Sequence, residues 1–87
     1  MANHKSAEKR ALQTERRTAA NNARRNRVRS SIKKVQEAIA AGDKKAAAEA
    51  LRAAQPEIQR GADSRVITKS SAARRVSRLA HRIKAMA

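Results

Sequence analysis

The sequence contains no cysteine and no aromatic residue, and it has only one proline, two glycines and two histidines among its 87 residues. Without cysteine, disulfides and thiolate metal sites are excluded. Without Phe, Tyr and Trp, the chain has no platform on which the bases of a single strand could stack, as they do on RRM and OB domains. The scarcity of helix breakers, together with 21 alanines, favours helix over strand throughout the chain.

Acidic residues are also scarce: seven Asp and Glu stand against 22 Lys and Arg, a formal net charge of +15. The imbalance is segregated along the chain. Residues 1–34 have eleven basic and two acidic residues, net +9, and residues 64–87 have seven basic residues and no acid, net +7. Residues 35–63 have four basic and five acidic residues, net −1. Two basic regions flanking a nearly neutral one indicate a polyanionic partner, nucleic acid above all.

Signals for catalysis, for a cofactor and for a membrane span are absent as well. His4 and His81 lie far apart and have no metal-ligand spacing, and no Gly-rich phosphate loop is present. No apolar run approaches the ~20 residues of a spanning helix. We therefore expect no enzyme, no metal, no cofactor, no small-molecule substrate and no membrane association.

What the sequence does contain is a three-helix pattern. Gly42 and Asp43 fit a helix C-cap followed directly by an N-cap. Gly61, followed by the β-branched run Val66 to Thr68, predicts the second break, and Thr68 or Ser70 would cap the third helix. Pro56 should kink the second helix near Arg52 to Gln55. The predicted helices cover about residues 6–41, 44–63 and 69–86.

Each predicted helix has one apolar stripe at helical spacing, which indicates an all-α three-helix bundle. The core is small, because only thirteen bulky apolar residues follow Met1. Glu49, Glu57 and Asp63 are expected on the outer face of the second helix. The stripes are Val28, Ile32, Val35 and Ile39; Ala47, Leu51, Ala54, Ile58 and Ala62; and Ala72, Val76, Leu79, Ile83 and Met86.

The first stripe stops at Val28. Its line continues towards the N-terminus through polar positions only, namely Arg24, Asn21, Arg17, Thr14 and Arg10. A lone helix without an apolar face is unstable in water unless something packs on it. We therefore expect the first helix to project beyond the bundle, and its N-terminal half to gain stability from the polyanion.

Arginine dominates the basic residues and predicts how the polyanion is bound. Fourteen of the 22 basic residues are arginine, whose planar fork binds phosphate in a bidentate manner. Arg74, Arg78 and Arg82 stack at intervals of four residues opposite Val76 and Leu79, where they repel one another. We expect recognition of the backbone and shape of folded, duplex-rich nucleic acid.

Three blocks, taken in order, resemble one family nearly end to end: "MANHKSAEKR", "AGDKKAA" and "VITKSSAARRVSRL". The chain resembles small-subunit ribosomal protein twenty of bacteria. The resemblance implies a cytoplasmic, ribosome-bound three-helix bundle with a long first helix and no enzymatic site. It further implies direct binding to small-subunit ribosomal RNA, in its 5′ domain and a long stem near its 3′ end. The resemblance also implies an early role in subunit assembly and few protein contacts within the ribosome. Residues 1–87 are expected to form one RNA-binding helical domain.

The resemblance also implies a set of RNA-binding positions. One segment departs from the family pattern: Thr68 to Ser71 stand where His-Lys-Asn-Lys is common, so no contact is carried over to positions 68 and 71. The implied RNA-binding residues are Asn3, Lys5, Ser6, Arg10, Arg17, Asn21, Arg24, Arg25, Arg29, Lys34, Lys69, Arg74 and Arg78.

Two other classes of protein have the same basic, helical composition. The first is a DNA-compacting, histone-like protein, which usually needs a dimer interface or an apolar wedge that unstacks bases. The second is a membrane-surface helix, which needs Trp, Phe or Leu opposite its charges, and residues 5–27 contain only Leu12. Competition between folded ribosomal RNA, duplex DNA and anionic vesicles distinguishes the three classes.

Overall fold

The protein is built from three helices, α1 (Ala2–Ala40), α2 (Lys44–Asp63) and α3 (Lys69–Lys84). The structure, a computed structural model, describes the backbone of residues 2–87 and the side chains of residues 4–87. No strand occurs within residues 2–87. The prediction of an all-α three-helix bundle with a long first helix is therefore confirmed.

The turn between α1 and α2 is a Schellman motif that the sequence predicts well. Gly42 has a φ of +76°, a left-handed conformation that glycine adopts without steric cost. The Gly42 N–H donates to the Ile39 carbonyl at 3.0 Å, and the Asp43 N–H donates to the Ala38 carbonyl at 3.2 Å. The Asp43 carboxylate then accepts from the Ala46 N–H at 3.0 Å. Asp43 thus closes α1 and caps α2.

The turn between α2 and α3 repeats this motif with an unusual residue. Arg65 takes the left-handed position, with a φ of 62°. Its N–H donates to the Ala62 carbonyl at 3.0 Å, and the Val66 N–H donates to the Gly61 carbonyl at 3.1 Å. Because an L-residue is strained by about 1–2 kcal/mol there, Arg65 stands where glycine is usual.

Thr68 is the residue that caps α3. Its side-chain oxygen accepts from the Ser71 N–H at 3.1 Å, and its backbone is extended. Of the two residues that the sequence offers, Thr68 and Ser70, the structure thus selects the first. Helix α3 ends at Lys84 and not at the predicted residue 86. The Met86 N–H donates to the Ile83 carbonyl, three residues back, in a tighter turn than that of an α-helix.

The core is formed by the three predicted stripes, with α2 packed against both other helices. Val35 and Ile58 are the largest side chains that are fully buried among the described residues. Ile39, Val76 and Met86 are only partly buried and lie at the edge of the core. The buried apolar residues are Val28, Ile32, Val35, Ala47, Leu51, Ala54, Ile58, Ala62, Ala72, Leu79 and Ile83.

Gly61 has a packing function that its sequence context does not indicate. It does not break α2 but lies inside it and is buried. A Cβ at this position would lie 2.8 Å from Val28 Cγ2 and 3.5 Å from the Ile67 side chain. The first distance is shorter than two non-bonded side-chain carbons normally come to each other. The glycine therefore allows α1 and the α2–α3 turn to pack directly on the α2 backbone.

Pro56 also lies inside α2, which continues through it. Proline has no N–H to donate to the Arg52 carbonyl, so the kink expected at this point stays a prediction.

The molecule is strongly elongated, measuring 68 × 22 × 15 Å. Its radius of gyration is 17.8 Å, whereas a compact domain of this length would have about 12 Å. The difference comes from α1, whose 39 residues span about 58 Å at 1.5 Å per residue. Helix α1 begins at Ala2, earlier than residue 6, because the residues between contain neither glycine nor proline.

Candidate nucleic-acid interface

The N-terminal half of α1 projects from the bundle, as expected. Every side chain from His4 to Ala20 is exposed. Leu12, the large apolar residue of this segment, keeps 55% of its surface in solvent. Arg10, Arg17 and Arg24 recur every seven residues on the line that Val28 and Val35 continue inside the bundle. The same side of one helix is therefore apolar within the core and cationic beyond it.

Helix α3 presents a second basic surface. Arg74 and Arg78 are exposed, whereas Leu79 and Ile83 are buried on the opposite side. Lys69, in the first turn, is exposed as well. These arginines can therefore contact a ligand without disturbing the core, because α3 has its exposed basic residues and its buried apolar residues on different faces.

The basic side chains of α1 and α3 make no ion pair among the residues that the structure describes. The ion pair that is present joins Arg60 and Glu57 within α2, at 3.0 Å. Asp63 accepts a hydrogen bond from Gln59, again within α2, at 3.0 Å. Basic residues still outnumber Glu8, Glu15 and Glu37 on α1, and α3 contains no acid, so both helices keep an excess of positive charge that a polyanion relieves.

The structure assigns the implied RNA-binding residues to several surfaces rather than one. Asn3 lies outside the residues whose side chains are described. Asn21 is half-buried. Lys34 lies in a groove between α1 and α2 that Asn26, Arg27 and Glu57 also line, away from Arg25 and Arg29. The implied residues that are exposed are Lys5, Ser6, Arg10, Arg17, Arg24, Arg25, Arg29, Lys34, Lys69, Arg74 and Arg78.

The position of Glu57 corrects one expectation. Glu49 and Asp63 are exposed, but Glu57 is half-buried and lines the groove against α1 instead of the outer face. The angular position of Glu57 on α2 does not determine its burial, because the burial depends on which side of α2 is covered by α1. Its carboxylate places negative charge beside Lys34 and makes this groove a poor phosphate site.

A small hollow on the other flank of α1 contains a residue that sequence reasoning missed. Arg25, Val28 and Arg29 of α1, Val66 and Ile67 of the turn, and Arg75 of α3 enclose about 150 Å³. Arg75 is exposed and was not among the implied residues. Its spacing of four residues from buried Leu79 places it at the margin of the apolar stripe, which is the signal that could have identified it.

Other kinds of site find no support in the described residues. From residue 2 onward, no group of three or more His, Cys, Asp and Glu side chains is placed to hold a metal ion. His81 is exposed near the end of α3. None of the helices that the structure describes combines the length and apolar character needed to cross a membrane.

Comparison with known proteins agrees with this arrangement. The family model of ribosomal protein S20 matches residues 2–84. The chain belongs to the ribosomal protein S20 family. It is 57% identical over 86 residues to small ribosomal subunit protein bS20 of Ruegeria sp. (strain TM1040), covering 99% of each chain. The bS20 protein of Agrobacterium fabrum is 58% identical over 86 residues, covering 99% of this chain and 98% of its own. That of Paracoccus denitrificans is 55% identical over 87 residues, covering 100% and 98%.

Membership of the S20 family agrees with two predictions made from the sequence. The resemblance stated from the three sequence blocks is confirmed. The family is structural rather than enzymatic, as expected. The matches extend through both basic regions and the nearly neutral α2, so the family pattern includes the projecting half of α1.

Proposed function

We propose that the protein is a structural constituent of the small ribosomal subunit in the cytoplasm, where it binds folded small-subunit ribosomal RNA directly. The observation that carries the proposal is the replacement of the apolar line of α1 by Arg24, Arg17 and Arg10 where the helix leaves the bundle. The membership in the S20 family supports the ribosomal assignment.

The mechanism is stabilisation of the exposed helix by phosphates. In the free protein the N-terminal half of α1 has no apolar partner, and helices without packing are marginal in water. RNA phosphates along the arginine line neutralise the arginine charges, which lowers their mutual repulsion, and stabilise the helix through charge-assisted hydrogen bonds. The outer face of α3, with Arg74 and Arg78, supplies a second contact, so that residues 1–87 act as one RNA-binding unit.

Specificity comes from shape and not from base stacking. The chain has no aromatic residue on which a base could stack. Once RNA stabilises it, the helix of about 58 Å presents arginines along its exposed half and fits only an RNA whose phosphates follow the same line. Asn and Ser side chains of α1 add hydrogen bonds to sugars, including the 2′-hydroxyl that distinguishes RNA from DNA.

The test is competition binding at one salt concentration. Labelled small-subunit ribosomal RNA in its folded form competes with unlabelled duplex DNA and with anionic phospholipid vesicles. We expect folded ribosomal RNA to win by at least tenfold over both competitors. Equal or stronger binding of duplex DNA would favour a DNA-compacting protein, and preference for vesicles would favour a membrane-surface helix.

An assembly function follows from the same geometry. A helix that RNA must stabilise also holds together the RNA segments along which it lies, so it acts best before those segments are covered. We propose that the protein joins the subunit early. Reconstitution of the small subunit without this protein should lower the incorporation of later proteins, and addition of the protein after the others should restore less activity than addition at the start.

We further propose that its contacts in the ribosome are mainly with RNA and few with protein. Among the described residues, Leu12 is the large apolar side chain that is exposed, and single exposed apolar residues do not make an interface. Crosslinking of assembled subunits should therefore give many more RNA than protein adducts.

A further inference from the structure

We infer that the hollow between α1 and α3, here called the arginine pocket (Arg25, Val28, Arg29, Val66, Ile67 and Arg75), binds a single backbone phosphate of the RNA. The inference rests on the proposed function and extends it: the bound phosphate links α3 to α1. Arg75 becomes an RNA-binding residue of a kind different from Arg74 and Arg78.

The floor of the arginine pocket is built by the close packing at Gly61. Val28 is 2% exposed and lies directly against the backbone of Gly61, where Ile67 also packs. The left-handed conformation of Arg65 turns the chain so that the Val66 and Ile67 N–H groups point to the Gly61 carbonyl, at 3.1 and 3.4 Å. The pocket therefore has a fixed apolar base and charged walls.

Three arginines line the pocket, and none of the described residues that line it is acidic. Arg25 makes a long hydrogen bond to Asn22 at 3.4 Å. Arg29 and Arg75 have no hydrogen-bond partner within the described part of the chain. Like charges held close together repel one another, and an anion between them relieves the repulsion.

The dimensions fit a phosphate better than a larger ligand. The pocket encloses about 150 Å³, roughly the volume of five water molecules at ~30 Å³ each. Small organic ligands usually occupy cavities of about 300–1,000 Å³. A phosphodiester offers two non-bridging oxygens, which can accept from guanidinium forks on opposite walls.

The groove on the other flank of α1 supports the choice by contrast. It also brings basic residues together, Arg27 and Lys34, but Glu57 lies between α1 and α2 beside them. The Glu57 carboxylate, which pairs with Arg60, repels a phosphate that approaches this groove. The hollow between α2 and α3 also lacks a carboxylate, but only two cations, Arg52 and Lys69, line it, whereas three arginines line the arginine pocket.

A phosphate in the arginine pocket would have a structural consequence. Helices α1 and α3 touch each other much less than either touches α2. An anion that accepts from Arg29 of α1 and Arg75 of α3 adds a link where the bundle has little packing. Binding at this site and docking of α3 then stabilise each other, since a ligand of the folded form favours folding.

Phosphate-ethylation interference tests this assignment. Folded small-subunit ribosomal RNA, ethylated at about one phosphate per molecule, is selected by the wild-type protein and by the R29A, R75A and R82A variants. Arg82 is the matched control, since it also lies on α3 and loses the same charge but does not line the pocket. We expect to find one phosphate whose ethylation blocks binding of the wild-type protein. Ethylation of this phosphate should no longer affect binding of R29A or of R75A, but it should still block binding of R82A.

The affinities add a second readout. R29A and R75A should each bind RNA about tenfold more weakly, the loss of one hydrogen bond to a charged group. Arg75→Lys should still be blocked by ethylation of the same phosphate, because the charge remains. Thermal melts verify that the variants fold, and Arg75→Gln, which retains most of the aliphatic stem, replaces R75A if that variant melts early.

Two results would overturn the inference. If R29A and R75A relieve different phosphates, or if neither relieves any, the arginine pocket does not hold a shared phosphate, although the proposed RNA binding stands. If ethylation at no phosphate affects the wild-type protein, the proposed function fails together with the pocket.

Discussion

The two halves of α1 belong to one continuous helix and differ in what lies on one side of it. From Val28 to Ile39 this side is apolar and packs in the bundle, whereas from Arg10 to Arg24 it is polar, contains three arginines and is exposed except at half-buried Asn21. Helix α1 as a whole has almost no amphipathic character, unlike α2 and α3. A binding surface can therefore be located where the apolar stripe of a helix ends while the helix itself continues.

The first test removes one leucine from the core of the bundle, on α3, and one leucine from the exposed half of α1. Leu79→Ala removes a leucine that is 4% exposed and should lower the free energy of unfolding by ~2–5 kcal/mol. Leu12→Ala removes one that is 55% exposed and should change it by less than ~0.5 kcal/mol. Thermal and urea denaturation measure both, and equal losses would mean that the N-terminal half of α1 packs in the free protein.

The second prediction separates binding from packing within α3. Arg74→Ala combined with Arg78→Ala should weaken RNA binding at least tenfold, because hydrogen bonds to charged groups are worth ~1.5–3 kcal/mol each. The unfolding free energy should stay unchanged or rise by a few tenths of a kcal/mol, since repulsion between the exposed arginines falls. Filter binding and thermal melts decide it. A variant that unfolds while binding is kept would show that the faces of α3 are reversed.

The third prediction concerns the place where the apolar half of α1 packs on α2. Gly61→Ala puts a Cβ 2.8 Å from Val28 Cγ2 and should lower stability by about 1–2 kcal/mol, overpacking outweighing the better helix propensity of alanine. Val28→Ala removes the clashing methyl group, so the double variant should lose less than the sum of the single losses. Additive losses in urea denaturation would place the effect of Gly61 elsewhere.

The fourth and smallest effect lies at the turn that follows α2. Arg65→Gly should stabilise the protein by about 0.5–1 kcal/mol, because the strain of a φ of 62° is relieved at some cost in chain entropy. Ser64→Gly is the control: with a φ of −83° it has no such strain, and glycine should cost ~0.5–1 kcal/mol. Thermal melts that rank the two variants the other way would contradict the account of this turn.

Salt dependence extends the comparison to the whole basic surface. The two basic regions hold eighteen Lys and Arg residues, and contacts from a third of them release counterions with a log–log slope of magnitude about 4–5. Filter binding across salt concentrations measures the slope. A slope near zero would be incompatible with phosphate recognition by either helix.

The helices, the stripes and most caps could be predicted because they depend on residues close in sequence. Gly42 with Asp43, and Thr68 before α3, are local signals, and the stripes repeat at the helical period. The role of Gly61 could not be predicted, because the contact with Val28 exists only once α1 and α2 are placed together. The left-handed conformation of Arg65 carries no signal, since arginine does not favour it.

The interface was predictable in composition more than in geometry. The exposure of the N-terminal half of α1 follows from the end of its apolar stripe. The separation of Lys34 from Arg29, the half-buried position of Glu57 and the position of Arg75 depend on which flank each neighbouring helix covers. Helical periodicity gives the angle of a residue on its own helix and not the neighbour that it meets. The RNA contacts themselves stay predictions.

Hydrogen exchange of the free and the RNA-bound protein tests most directly the claim that RNA replaces the missing core. Amides of residues 5–24 should exchange fastest in the free protein, well before those of residues 28–39 in the same helix, because unpacked helices open locally. Binding of folded small-subunit ribosomal RNA should slow their exchange by at least tenfold. Slow exchange through residues 5–24 without RNA, or no change on binding, would contradict the account.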